Sequence, residues 1–132
     1  MPAFNESKRI KEIINKIKNK SDNIIVCNDG STDSTGIIAE KMGVIVINHE
    51  KNLGYGSAIK SIFLKAQEIE ADILITFDAD GQHRIEDIEA VIQPILHNEA
   101  DIVIGSRFLE NDVEMPKYRK FGIKTITSLT NI

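Results

Sequence analysis

Asp78 and Asp80 stand one residue apart where the apolar run of "ITFDADGQH", Ile75 to His83, gives way to polar residues. Two carboxylates this close repel each other, and burial raises their pKa unless a cation neutralises them. Their oxygens are hard donors suited to Mg²⁺ or Mn²⁺, ions that keep coordination positions open for substrate phosphates. Gln82 can add a neutral oxygen, and His83 suits a Mn²⁺ shell. A bare Asp-x-Asp more often caps a strand and the turn after it. Here the flanking Gly81, Gln82 and His83 weigh toward an ion.

Other residues fit the same chemistry. Asp29 ends a second apolar run and is followed by Gly30 and Ser31. A carboxylate there can accept from ribose hydroxyls or a base N–H, while Gly30 admits a close backbone approach. An Asx-turn leading into a helix cap explains "DGSTDS" equally well. Gly54 and Gly56 before a helix suit a phosphate loop or plain turn chemistry. Arg107 follows "DIVIGS", where a guanidinium can meet a diphosphate, a developing leaving-group charge or a surface carboxylate. Cys27 lies within an apolar run and reads as a buried, inert thiol. His49 and His97 read as loop and helix-end residues without an assigned role.

The elements that must position these groups alternate in period. Ile10, Ile13, Ile14 and Ile17 fall on one helical face, predicting a helix from near Asn5 or Ser7. Ile24–Cys27, Val44–Ile47, Ile73–Phe77 and Ile102–Ile104 read as strands covered on both faces. Between them lie helical stripes: Ile37, Ile38 and Met42; Ile59, Ile62, Phe63 and Ala66; Ile85, Ile88, Ile92 and Ile95. Pro94 should loosen the last of these, and a final helix is expected from Lys117, with Phe121, Ile126 and Leu129 inward. Strand and helix alternating predicts an α/β fold, a mostly parallel sheet flanked by helices. Ligands bind such sheets at the carboxyl ends of their strands. That rule gathers "NDGS", "NHEKNLGYG", "DADGQH" and "GSRF" on one rim.

Bulk properties bound the partners. The 132 residues suffice for one domain with a core. A net charge of -4 without a basic block argues against nucleic acid. One cysteine excludes an intrachain disulfide and fits a reducing, cytoplasmic setting. No apolar run approaches the ~20 residues that span a bilayer.

Taken in order, "PAFNE" (Pro2 to Glu6), "NDGSTDST", "NLGYGSA", "FDADGQH" and "VIGSRF" resemble the inverting family 2 glycosyltransferases of GT-A fold. Within these, the resemblance is to the polyprenyl- and dolichyl-phosphate mannose or glucose synthases. It implies that Pro2, Phe4 and Glu6 line the base and ribose of a nucleotide sugar, and that Asp29, beside Cys27 and Asn28, forms the base-binding turn. Asp78 and Asp80 match the family's metal-binding pair, Ala79 packs near the ribose, and Gln82 makes a further metal or phosphate contact. Asp80 and Arg107 then carry the catalytic charge stabilisation, and Arg119 matches a later basic residue facing phosphates. The implied partners are a nucleotide-sugar donor and a lipid-phosphate or glycan acceptor, with Mg²⁺ or Mn²⁺. The implied place of action is the cytoplasmic face of a membrane.

Three departures accompany the match. Asn28 replaces the first of two aspartates usual in that turn. Family members precede "PAFNE" with an apolar central strand, and they continue beyond the equivalent of Ile132 into the acceptor region. The expectation is therefore the nucleotide-sugar-binding part of a GT-A domain over residues 1–132, truncated at both ends. Losing a central strand leaves buried backbone groups unpaired at ~1–3 kcal/mol each, which would favour strand borrowing and a homo-oligomer. Two alternatives stay open. One is a non-catalytic nucleotide- or partner-binding fragment. The other is a haloacid-dehalogenase-like phosphatase, whose Asp-x-Asp-Gly resembles "FDADG" but normally lies on the first strand.

Overall fold

The computed structural model describes residues 1–81 and 83–106. They divide into two units, Met1–Ala90 and the part that begins at Val91. The first unit is built on a parallel three-stranded sheet in the order β1 (Pro2–Ala3), β2 (Ile25–Asp29), β3 (Ile45–His49). The register runs from Ile25 opposite Ile45 to Asp29 opposite His49, and Pro2 lies opposite Cys27. Parallel neighbours need crossovers, and helices supply them: α1 (Ile10–Ile17) between β1 and β2, and α2 (Thr35–Lys41) between β2 and β3, while α3 (Tyr55–Glu68) follows β3. The α/β, parallel-sheet architecture expected from the periodicity is the one observed.

The helical stripes explain the two core layers. Ile10, Ile13, Ile14 and Ile17 all bury their side chains with Ile24, Val26 and Ala39 in one cluster. The turn before that helix closes on Glu6, whose carbonyl accepts the N–H of Ile10 at 2.9 Å, so regular helix begins later than the apolar pattern suggests. On the other face, Ala58, Ile62 and Ala66 of α3 pack against Ile25 and Cys27. Phe63, expected inward, is 55% exposed, as is Ile37 of α2. Small residues took those places: Ala58 and Ala66, and Gly36 with Ala39, let the helix backbones approach the sheet.

Pro2–Ala3, at the start of "PAFNE", forms a short strand beside β2. Met1 extends its pairing, with its carbonyl accepting the Cys27 N–H at 2.9 Å. Ile73–Phe77, expected as a strand, is not paired as one. Its sides still alternate as an extended segment requires: Leu74 packs against the α3-side cluster, and Phe77 and Ala79 are buried in the α1-side cluster. Side-chain burial fixed that segment's path, whereas a ladder needs a partner backbone along its whole length. Ile102–Ile104, in the second unit, is likewise unpaired, with Ile102 and Ile104 80% and 85% exposed. Helix α4 (Asp87–Leu96) continues through Pro94. Gln82, Arg107, Arg119 and the helix expected from Lys117 lie outside the described residues.

Candidate functional site

The carboxyl ends of the strands and the loops after them enclose a cleft of about 310 Å³. Its first wall is Pro2, Ala3, Phe4 and Glu6, from β1 and the turn that follows. Asp29 at the end of β2 forms the floor, with Asn52, Gly54, Tyr55 and Ala58 from the β3–α3 loop and the start of α3. Asp78, Ala79 and Asp80 close the far side. Three of the four polar clusters expected on one rim thus meet, joined by "PAFNE". The fourth, "GSRF", begins in the second unit.

Hydrogen bonds from "DGSTDST" fix the first wall. The Ser31 hydroxyl accepts the Asn5 N–H at 3.0 Å, and Asn5 Oδ1 accepts the Thr32 N–H at 2.9 Å. Asp33 accepts the N–H groups of Ser7 and Thr35, and the Thr35 hydroxyl accepts the Glu6 N–H at 2.8 Å while donating to Asp33. Asn5 can hold its positive φ of 57° because its short amide serves this turn. Thr35 is fully buried, so Thr35→Val, equal in shape but without the hydroxyl, strands the Glu6 N–H. The expected cost is about 1–3 kcal/mol in urea unfolding, with Thr35→Ser recovering most of it.

Asp29 is only 4% exposed and is held by three protein donors. Oδ1 accepts the Leu53 N–H at 3.0 Å and faces His49 Nδ1 at 2.6 Å; Oδ2 accepts the Gly54 N–H at 2.9 Å. Burial pushes this carboxyl up, but the Leu53, His49 and Gly54 contacts together outweigh it and leave it below the ordinary carboxylate range. Asp33 is held low by the Thr35 hydroxyl first, with the Ser7 contact also contributing. A carboxyl depressed by folding adds stability above its unfolded pKa of about 3.9 and loses it as pH falls through the lower folded value. Urea midpoints should therefore drop as pH falls below about 4, and drop less steeply in Asp33→Asn.

Asp78 is oriented from two sides. The Tyr55 hydroxyl donates to its Oδ1 at 3.2 Å, and His83 Nε2 lies 3.5 Å from its Oδ2. His83 Nδ1 accepts the Asp78 backbone N–H at 3.2 Å, which puts the proton of a neutral ring on Nε2. The ring also packs edge-on against Phe77, with centroids 5.2 Å apart. In this arrangement His83 offers no lone pair to an ion and instead steadies Asp78. Among the described residues no three or more His, Cys, Asp and Glu side chains form a metal-holding group. The carboxylates of Asp78 and Asp80 on one cleft wall nevertheless suit Mg²⁺ or Mn²⁺, which binds through one or two carboxylates plus substrate phosphates.

Two residues from the sequence reading do not line the cleft. Cys27 is fully buried, and burial with the nearby Asp29 charge pushes its thiol up to about 11, which makes it inert. Asn28 turns to Asn48, donating from Nδ2 to Oδ1 at 2.8 Å, and also caps the Ser31 N–H at 3.3 Å. Tyr55 and Asn52 line the cleft and His49 contacts Asp29, roles that the sequence does not assign them. A glycine-flanked tyrosine before a helix carries no distinctive pattern, and His49 gains meaning only from its register opposite Asp29.

Residues 1–130 match the family model described as Glycosyl transferase family 2. The chain belongs to that family. It is 40% identical to a UDP-N-acetylglucosamine–dolichyl-phosphate N-acetylglucosaminyltransferase of Methanococcus voltae, over 98% of this chain and 60% of that protein. It is 35% identical to a dolichol-phosphate mannosyltransferase of Pyrococcus furiosus, over 91% of this chain and 36% of that one. This family 2 chain therefore spans less than two thirds of these relatives' lengths. Glucosyl-3-phosphoglycerate synthase from Mycobacterium tuberculosis, solved with Mn²⁺, UDP and glucosyl-3-phosphoglycerate, superposes with a TM-score of 0.59 at 27% identity. That likeness covers 72% of this chain and 37% of the synthase. No helix among the described residues is long and apolar enough to cross a membrane.

Proposed function

We propose that this chain forms the donor-binding part of a glycosyltransferase that takes a sugar from a nucleotide-diphosphate sugar and passes it, with inversion, to a polyprenyl-type lipid phosphate at the cytoplasmic face of a membrane. The observation that carries this reading is the convergence of Phe4, Glu6, Asp29, Gly54, Asp78 and Asp80 on one cleft in a family 2 chain. The dolichyl-phosphate transferases among its relatives support the acceptor class.

In this reading Pro2 and Phe4 flank the base, with Glu6 toward the ribose. Oδ1 of Asp29 meets two protein donors and Oδ2 one, which leaves an acceptor position on Oδ2 for a base N–H or ribose hydroxyl. Ala79, buried beside the two acids, gives the ribose a small apolar contact. Asp78 and Asp80, with Gln82, would hold Mg²⁺ or Mn²⁺, which when bound neutralises charge gathering on the departing diphosphate. Tyr55 and His83 keep Asp78 turned into the cleft. Arg107 is assigned the diphosphate by its place in "GSRF", where a guanidinium stabilises the leaving group as the anomeric carbon is attacked from its opposite face.

A thermal-shift screen of UDP- and GDP-sugars with Mn²⁺ tests this. Ligand at about 100 times its Kd should add about 2.7 kcal/mol of stability, for one base in preference to the other. No shift with any nucleotide sugar would overturn the reading.

A further inference from the structure

We propose that His49 is a positioning residue of the donor site, holding Asp29, and through it the Leu53–Gly54 wall, in the form that receives the nucleotide. The inference rests on the donor-site reading above and adds a residue that does not line the cleft. His49 is the last residue of β3, and its side chain is only 9% exposed. Nδ1 lies 2.6 Å from Asp29 Oδ1, and Nε2 lies 2.9 Å from the Ser61 hydroxyl on α3. Cys27 Sγ stands 3.6 Å from the same Nε2.

The partners decide where the proton sits. A carboxylate can only accept, whereas the Ser61 hydroxyl and the Cys27 thiol can both donate. In the neutral ring Nδ1 therefore carries the hydrogen that goes to Asp29, and Nε2 accepts from the hydroxyl or the thiol. His83, whose Nδ1 accepts a backbone N–H, holds the opposite tautomer. The relay Ser61–His49–Asp29 links α3, β3 and β2 to the loop amides of Leu53 and Gly54. Without the His49 donor, the carboxylate keeps only the loop's own amides, Leu53 N–H on Oδ1 and Gly54 N–H on Oδ2, and nothing ties it to β3. The wall it holds would shift with it.

Two substitutions separate positioning from packing. His49→Asn places an amide N–H where Nδ1–H was, keeping the donor to Asp29 and losing the Ser61 contact. His49→Gln reaches toward Ser61 and abandons Asp29. Both lose ring packing and should melt earlier by similar amounts. Calorimetry with Mn²⁺ and whichever of UDP or GDP the wild-type chain binds should show His49→Asn within about threefold of wild type. His49→Gln should be weaker by about tenfold or more, the scale of a lost hydrogen bond to a charged group. Long-range ¹H–¹⁵N spectra in mildly alkaline buffer, over three histidines in all, should show His49 protonated on Nδ1 and His83 on Nε2. Equal weakening in both variants, or a His49 proton on Nε2, would overturn the inference while leaving the donor site standing. A wild-type chain that binds neither nucleotide would remove the donor site, and this role with it.

Discussion

Gly30→Ala is expected to cost about 2–5 kcal/mol, a large share of an ordinary domain's stability. Gly30 follows Asp29 with φ +67°, and a Cβ built there would stand 2.2 Å from the Lys51 carbonyl carbon and 2.3 Å from the Asn52 nitrogen. Both obstacles are backbone, so no side chain can swing aside. Left-handed backbone costs an alanine about 1–2 kcal/mol, and forcing two loops apart adds about 1–3 kcal/mol of overpacking. Gly43 supplies the control: its φ is +68°, but nothing lies within 4 Å of its Cβ position. Gly43→Ala should therefore lose only the backbone part, about 1–2 kcal/mol. Urea unfolding of the two variants isolates the close approach. Equal losses would show that the β2 and β3 loops can move apart freely, contrary to a cleft held in place by their contact. Because Asn52 lines the cleft, Gly30→Ala should also weaken nucleotide binding where it still folds.

Asp80→Ala should weaken Mn²⁺-dependent nucleoside diphosphate binding by about 100-fold or more, the scale of removing one partner from a desolvated charge pair. EDTA should do the same to the wild-type chain. The reasoning is electrostatic. Asp78 and Asp80 are separated by one residue on one wall, and a diphosphate brought to that wall adds further negative charge. Carboxylates and phosphates repel unless a doubly charged ion lies between them, so affinity must fall steeply when the ion or one of its ligands is gone. Tyr55→Phe removes only the hydroxyl that turns Asp78 inward and should have a smaller effect. Nucleotide binding that ignores both EDTA and Asp80→Ala would mean the acids serve another purpose.

Much of this was legible in the residues. The isoleucine stripe of α1 and the run at Ile25 announced helix and buried strand because each period has one burying geometry, whereas the run at Ile45 forms a strand that is only half-buried, not covered on both faces. Topology then brought "PAFNE", "NDGS", "NLGY" and "DAD" to one cleft, since parallel strands expose the same ends together. Phe63 and Ile37 were misjudged because a helical stripe does not reveal how closely the sheet approaches. There Ala58 and Ala66 beside Ile62 on α3, and Gly36 with Ala39 on α2, face inward instead. The Ile73–Phe77 ladder was also misjudged, because apolar alternation reports burial and says nothing of a neighbour's backbone. His49 was invisible for a further reason: its role comes from standing opposite Asp29 across β2 and β3, a register that no local pattern encodes.

Electron paramagnetic resonance of Mn²⁺ titrated with the chain and UDP or GDP tests the ion bridge most directly. The signal of the free hydrated ion should fall well beyond what nucleotide alone takes up, only when chain and nucleotide are both present, and Asp78→Ala combined with Asp80→Ala should restore it. A free-ion signal unchanged by the wild-type chain, or lost equally with the double variant, would contradict a metal-bridged donor site at these two aspartates.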